Sequence, residues 1–278
     1  MNGLVVGESP RWHAGRLWFS NWGAQEIIAV DVNGRSEVMV RVPTTVPFSI
    51  DWLPDGRLLV VLGPEARLLR QEPDRSMATH ADLSGLAKGW NEIVVDGRGN
   101  TYVNGGDYKF GPGEPFVPGV VALVTPDGSV RQVADDIHFP NGMVVTPDNK
   151  TLIVTESFKA RLTAFDIAAD GSLSNRRVWA ELGQGGDGIC MDAEGAVWTP
   201  AFPDGRPCCV RVREGGEVLQ RIELDKFCFA CMLGGEDGKT LFMLVAEWRG
   251  VEHMNELFSS HTGQLLTAQA PSPHAGRP

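Results

Sequence analysis

Ile50–Val60 reads IDWLPDGRLLV: an apolar run, a Pro-Asp-Gly turn and a second apolar run. Asp-Gly between two apolar runs signals a β-hairpin, because glycine takes the backbone conformation that a tight turn requires. The pattern recurs five times. The other copies are Arg11–Phe19 (RWHAGRLWF), Ile93–Val103 (IVVDGRGNTYV), Met143–Val154 (MVVTPDNKTLIV), Ile189–Trp198 (ICMDAEGAVW) and Met232–Phe242 (MLGGEDGKTLF). Their turns centre on Gly15, Gly56, Gly99, Asn149, Gly195 and Gly238, at intervals of 41, 43, 50, 46 and 43 residues. A third run usually follows, as in Glu26–Val32, Val120–Thr125, Arg161–Ile167 and Cys209–Val212, and sometimes a fourth, as in Glu37–Val42 and Glu217–Leu224. Three or four strands per repeat, six times over, predict an all-β, six-bladed β-propeller. Helical periodicity is nearly absent; only Met77–Lys88 and Glu252–Ser259 could hold a helical turn.

The regular spacing predicts one domain over residues 1–268. The polar, Pro-rich tail, residues 269–278 (QAPSPHAGRP), is expected to be disordered. The pattern does not say how the ring closes.

In a propeller, the first strand of each blade lines the central channel. Counting back seven or eight residues from each turn gives Glu8, Ser49, Asn91, Asn141, Asp187 and Ala230 at matched depth. Four of these six carry hard oxygen donors, which suit Ca²⁺, Mg²⁺ or Mn²⁺. A buried carboxylate needs a partner, and a cation supplies one. Singly, Asn141-Gly142 and Asp187-Gly188 read as turn dipeptides; together with Glu8 and Asn91 they read as a site.

Gly7-Glu8-Ser9-Pro10-Arg11-Trp12, Asn91-Glu92 before a Val-Val-Asp run, Pro140-Asn141-Gly142, Asp187-Gly188, and Phe229 to Gly235 in the last blade occur in that order. In this combination the chain resembles the SMP-30/gluconolactonase/LRE-like family of six-bladed propellers over nearly its whole length. The resemblance implies a metal-dependent lactone hydrolase, with Glu8, Asn141 and Asp187 as metal ligands and Asn91 as a fourth ligand or a substrate contact. It favours Ca²⁺, with Mg²⁺, Mn²⁺ or Zn²⁺ as alternatives. One position departs from it. Members acting on sugar lactones carry an arginine two residues before the channel asparagine, and here that position is Gly89. The departure points away from a sugar lactone. Trp90 is then read either as a contact to a less polar substrate or as packing between blades.

The chemistry expected is water attack on a small cyclic ester polarised by the cation, with Asp187 as general base or as nucleophile. A phosphotriesterase would use the same metal site, and a non-catalytic binding propeller would share the fold. Asp187 favours an enzyme, since a purely structural ion needs no base.

Other features exclude functions. A net charge of -10 and a pI near 5.1 argue against nucleic-acid or anionic-membrane partners. No apolar run reaches the ~18 residues of a membrane span. No signal peptide is visible, and the odd number of cysteines suggests free thiols in the cytoplasm. Gly183–Gly188 matches the G-x-G-x-x-G pattern, but a strand rather than a helix follows it, so its glycines are read as allowing close backbone approach. Cys228 and Cys231, three apart on a strand, are expected on opposite faces. The segment Gly105–Gly119, with Tyr108, Phe110 and Phe116, is read as a loop covering the channel mouth or as an ordinary surface loop.

Overall fold

The computed structural model describes residues 1–109 and 114–276. The chain opens with β1 (Asn2–Leu4) and then builds blades in order. Blade 1 is β2 (Gly7–His13), β3 (Arg16–Asn21), β4 (Glu26–Val30) and β5 (Ser36–Arg41). Blade 2 is β6 (Phe48–Trp52), β7 (Leu58–Leu62), β8 (Arg67–Gln71) and β9 (Met77–Asp82). Blade 3 is β10 (Gly89–Val95), β11 (Thr101–Gly106), β12 (Gly119–Val124) and β13 (Val130–Ile137). Blade 4 is β14 (Pro140–Val145), β15 (Thr151–Glu156), β16 (Arg161–Ile167) and β17 (Leu173–Glu181). Blade 5 is β18 (Cys190–Met191), β19 (Val197–Ala201), β20 (Cys208–Val212) and β21 (Val218–Glu223). β22 (Phe227–Gly234), β23 (Thr240–Ala246) and β24 (Gly263–Gln269) supply most of blade 6. Each blade is a four-stranded antiparallel meander, and the fold is a six-bladed β-propeller.

All six turn centres read from the sequence have positive φ, from +57° at Asn149 to +86° at Gly99. Asparagine replaces glycine once because its short polar side chain tolerates the left-handed region. The preceding aspartates brace these turns: Asp55, Asp148 and Asp237 each accept from the backbone N–H two residues on, at 2.9–3.1 Å. Of the two candidate helical stretches, Met77–Asp82 is strand β9, the outer edge of blade 2, and only the second is helical, at Val251–His253 and Met254–Leu257.

The core lies between blades. Ile50, Leu58 and Val60 of blade 2 meet Ile27 of blade 1, while Leu59, Val61 and Leu68 face Trp90, Ile93 and Val103 of blade 3. Both faces of a blade are therefore buried, and its second strand, Leu58–Leu62 (LLVVL), reads as a continuous apolar run rather than an alternating one.

The ring closes through β1, which pairs antiparallel with β24 and completes blade 6 from the other end of the chain. Closure removes an open sheet edge. The expectation of a disordered tail from residue 269 is corrected as far as Gly276. Gln269 ends β24, and Ala270 and Ser272 are buried. Beyond them Ala193 N–H donates to Pro273 O at 2.8 Å, His274 N–H to Gly238 O at 2.9 Å and Ala275 N–H to Met191 O at 3.0 Å. The tail laces blade 6 to blade 5 through backbone pairing, which a polar, Pro-rich composition does not reveal.

Candidate functional site

The residues read as a site sit where the inner strands begin, on irregular backbone. The pairing of inner and second strands skips a residue between Glu8 and Arg11, between Trp90 and Ile93, between Pro140 and Met143, and between Cys228 and Ala230. Blade 2 pairs without a skip, and there the matching residue is Ser49. A β-bulge re-aims side chains off the strand's alternation. The repeated bulge gives Glu8, Asn91 and Asn141 a common setting, while Asp187 stands in the loop before β18. Glycine makes the closeness possible. A Cβ on Gly142 would lie 2.5 Å from Asp187 O, and one on Gly188 would lie 2.5 Å from the Ala230 Cβ. Blades 4, 5 and 6 thus touch backbone to backbone at this depth, so the glycines serve this approach.

Asn91, Asn141 and Asp187 form a chain. Asn91 Nδ2 donates to Asn141 Oδ1 at 3.4 Å, and the Asn141 side chain stands near enough to Asp187 to favour its ionised form. Asn104 Nδ2 fixes Asn141 by donating to its carbonyl, and Thr155 Oγ1 donates to Asp187 O at 2.9 Å. Glu8 is buried, and its Oε2 accepts only the strained N–H of its neighbour Ser9 at 3.3 Å. Burial pushes the Glu8 carboxyl well above the carboxylate range, and the charges of Asp187 and Glu92 push it further. Burial likewise pushes Asp187 well up, reinforced by Glu92 and opposed by hydrogen bonds from Gly188 and Asn141. Asp187 Oδ1 is enclosed and has no hydrogen-bond partner.

Sequence reasoning missed the layer beneath. Glu92 is buried, and its Oε1 also lacks a partner. Ordinary alternation sets Asn91 and Glu92 on opposite sides; with the bulge between them and Ile93, the Glu92 charge acts on both Glu8 and Asp187. Arg11, 3% exposed, threads the channel below. It donates to Pro10 O and Ile93 O, reaches Glu92 Oε2 at 3.4 Å and lies 3.7 Å from Asp51 Oδ1. Burial raises the Asp51 carboxyl, countered by Arg11 and by the N–H groups of Trp52 and Val95. Blades 1, 2 and 3 are thereby pinned around one guanidinium. Arg11 and Glu92 stand in the quoted motifs, but their meeting across 81 residues has no local signature.

Trp90 does not join the site. Its side chain is 1% exposed in the core between blades 2 and 3, and its indole N–H donates to Ala87 O at 3.2 Å. The reading of Trp90 as a substrate contact is corrected to interblade packing.

The cysteine reading is corrected as well. The bulge between Cys228 and Ala230 lets Cys228 and Cys231 share one core cluster with Cys190 and Cys209. All five cysteines are free and buried. Among the described residues, no group of three or more His, Cys, Asp or Glu side chains is arranged to hold a metal ion. The channel set is of another kind, two carboxylates and two amides. The donor set fits a hard divalent cation: Asp187 and Glu92 raise the cost of ionising Glu8, Glu92 raises that of Asp187, and the enclosed Asp187 Oδ1 lacks a partner.

Aromatic residues rim this end of the channel. Phe139 precedes Pro140 and stacks on Phe158 at 4.6 Å, and Tyr108 packs on Phe139 at 4.9 Å. Phe116 stacks on His138 at 4.7 Å. Phe110 lies outside the described residues. Across the Asp187 loop, Phe227 packs on Phe229 at 5.0 Å and on Phe202 at 5.8 Å. The loop is tied to both groups. Ser157 Oγ donates to Gly186 O at 2.7 Å, Gly188 N–H to Phe229 O at 2.9 Å, and Phe202 N–H to Gln184 O at 3.3 Å.

The family model described as SMP-30/Gluconolactonase/LRE-like region matches residues 6–247, a span that contains every one of these channel residues. The chain belongs to that family. It is 27% identical to regucalcin of Xenopus laevis over 98% of this chain and 95% of that one. Among solved structures, a luciferin-regenerating enzyme superposes with a TM-score of 0.81 at 19% identity, covering 99% of this chain and 94% of that one. A gluconolactonase from Xanthomonas campestris superposes with a TM-score of 0.69 at 23% identity, covering 86% and 82%. At these identities the structural matches speak for the fold. Family membership suggests a lactone hydrolase. Among the described residues, no helix is long and apolar enough to cross a membrane.

Proposed function

We propose that this chain hydrolyses a lactone at the channel end built from Glu8, Asn91, Asn141 and Asp187, with a divalent cation, Ca²⁺ first, held by Glu8, Asn141 and Asp187. One observation carries the reading: the buried Glu8 and the half-buried Asp187, whose Oδ1 is enclosed and unpartnered, are each pushed well up by burial and by neighbouring charge. Arginines would be the means of stabilising such acids for structure alone. Arg11 acts on Glu8 but is shared with Glu92 and Asp51, and burial still pushes both acids up, so the pair is suited to a cation and a reacting ester. When bound, the cation would polarise the ester carbonyl and stabilise the oxyanion.

The chain's own residues do the rest. Asp187 accepts the proton of a water attacking the carbonyl carbon, or attacks that carbon itself and is released by hydrolysis. The Asn141 side chain beside it favours its ionised form, and Thr155 Oγ1 holds its main-chain carbonyl. Glu8, enclosed and fixed to Ser9, serves as ligand only. Asn91 braces Asn141 through its amide and presents the neutral face of the site. Arg11 partners Glu92, so Glu8 and Asp187 balance a dication and a neutral lactone meets no charge barrier. Five buried free thiols suit a reducing compartment, and we place the protein in the cytoplasm.

The test is a panel of lactones and phosphotriesters assayed with and without chelator. Lactone hydrolysis that disappears with chelator and returns with Ca²⁺, Mg²⁺ or Mn²⁺ is expected. Full activity in metal-free protein contradicts the mechanism.

A further inference from the structure

Phe158 is 57% exposed and Phe116 45% exposed, although both are large apolar side chains. They lie 5.8 Å apart, and Phe158 is backed by Phe139 at 4.6 Å. Phe139 stands two residues before Asn141. Phe158 follows Ser157, whose hydroxyl holds the carbonyl of Gly186, the residue before Asp187. On the other side of that loop, Phe229 receives the Gly188 N–H and stands one residue before Ala230. The loop that carries Asp187 is therefore tied on two sides to segments that bear aromatic rings, and on one side the rings of Phe158 and Phe116 are presented to water.

Such a rim discriminates by chemistry. A hydroxylated ligand would lose hydrogen bonds to water against ring faces that return few. An aromatic or bulky apolar body would stack in the offset or edge-to-face geometry that ring pairs prefer, and would cover surface now exposed. Charge at the reacting end and apolar walls at the entrance are the usual division in a small-molecule site.

We propose that this rim selects lactones whose ring carries an aromatic or bulky apolar substituent, seated on Phe158, Phe116 and Phe139 with the ester directed at Asp187. The proposal rests on the lactonase reading of the same site. The substituent is the recognised part and the cyclic ester the reacting part.

The experiment compares γ-phenyl-γ-butyrolactone with γ-valerolactone, which share the ring and differ by phenyl against methyl, on protein supplied with Ca²⁺ or Mn²⁺. A third arm measures binding of 5-phenyl-2-pyrrolidinone, a lactam of the same shape, by calorimetry. The parent protein is expected to favour the phenyl lactone in kcat/KM. Phe158→Ala and Phe116→Ala are each expected to cut that preference by about tenfold through KM, and to weaken lactam binding by a similar factor. Val178→Ala, on the outer strand of blade 4, is the control and leaves both unchanged. Lactone turnover without a phenyl preference, or with a preference that Phe158→Ala and Phe116→Ala do not alter, overturns the proposal while leaving the lactonase reading intact. Phe158-dependent lactam binding without turnover of any lactone supports the rim's selectivity and removes the lactonase reading.

Discussion

Glu156 and Asp187 belong to neighbouring blades at the same end of the ring, linked by the hydrogen bond from Ser157 to Gly186. They behave in opposite ways. Burial pushes the Glu156 carboxyl up, but the Thr163 hydroxyl, the His138 N–H and the Arg161 guanidinium outweigh it and hold the group at about 2. Arg161 donates twice to Glu156 Oε1, at 2.9 and 2.7 Å, and Arg176 approaches at 3.3 Å. Asp187 is pushed well up by burial and then by the charge of Glu92, with no arginine to hold it down. The fold can thus satisfy a buried acid completely with its own side chains. Where it does so the acid is structural; where it sets acids against one another, the site is one that the proposed cation would complete.

The largest test of this contrast is Asp187→Asn. Asparagine keeps the size and one carbonyl oxygen but cannot accept a proton or attack. Turnover at saturating cation is expected to fall at least about a hundredfold, with the circular-dichroism spectrum unchanged. A variant as fast as the parent would leave Asp187 a ligand only.

Cation binding should stabilise one acid group and ignore the other. At a concentration about 100 times Kd, Ca²⁺ is expected to add about 2.7 kcal/mol, read as a rise in Tm. Its pH dependence follows from the direction of the shifts. Glu8 and Asp187 titrate higher in the folded chain than unfolded, so in metal-free protein the contribution of this pair to stability is greatest below the ordinary carboxylate range and is lost as pH rises. The gain on adding Ca²⁺ should therefore grow from about pH 5 to pH 8, by the ionisation it relieves. A gain independent of pH would separate the acids from the cation.

Glu156→Gln probes the satisfied acid. It removes a charge that several donors hold, at a cost of about 2 kcal/mol, or a Tm drop of roughly 4–8 °C, with or without Ca²⁺. The sign with pH is opposite to that of the channel pair. The Glu156 carboxyl is lowered from an ordinary 4.5 to about 2, so its stabilisation is present above 4.5 and lost as pH falls between those values. The variant should lack this acid limb in a series of Tm measurements; an unchanged limb would assign it to other carboxylates.

Gly89→Arg gives the channel end a side chain of the kind that satisfies Glu156. A Cβ at Gly89 meets the backbone oxygen of its strand partner Gly106 at 3.2 Å, so the arginine requires that oxygen to give by a few tenths of an ångström. The ratio of kcat/KM for glucono-δ-lactone over γ-valerolactone is expected to rise, by about 1 kcal/mol. The unaltered protein preferring the sugar lactone would reverse the argument from Gly89.

The amino-acid sequence by itself determined the six hairpins, the antiparallel blades and the ring order of Glu8, Asn91, Asn141 and Asp187. Turn chemistry is local: an Asp-Gly or Asp-Asn pair between apolar runs bends the chain whatever surrounds it. Matched distance from those turns then placed oxygen donors at one depth. Only the tertiary structure decided which way side chains near that depth face. Alternation fails at a bulge, and a bulge is set by pairing with the next strand and packing on the next blade. It is the bulge between Trp90 and Ile93 that accompanies Trp90 in the interblade core and Glu92 acting on the channel acids. The bond from Arg11 to Glu92, the strand that Asn2–Leu4 lends to blade 6 and the lacing of the tail to blade 5 join residues far apart in the chain. Their partners are chosen by closing the ring, and no short stretch of sequence records that choice.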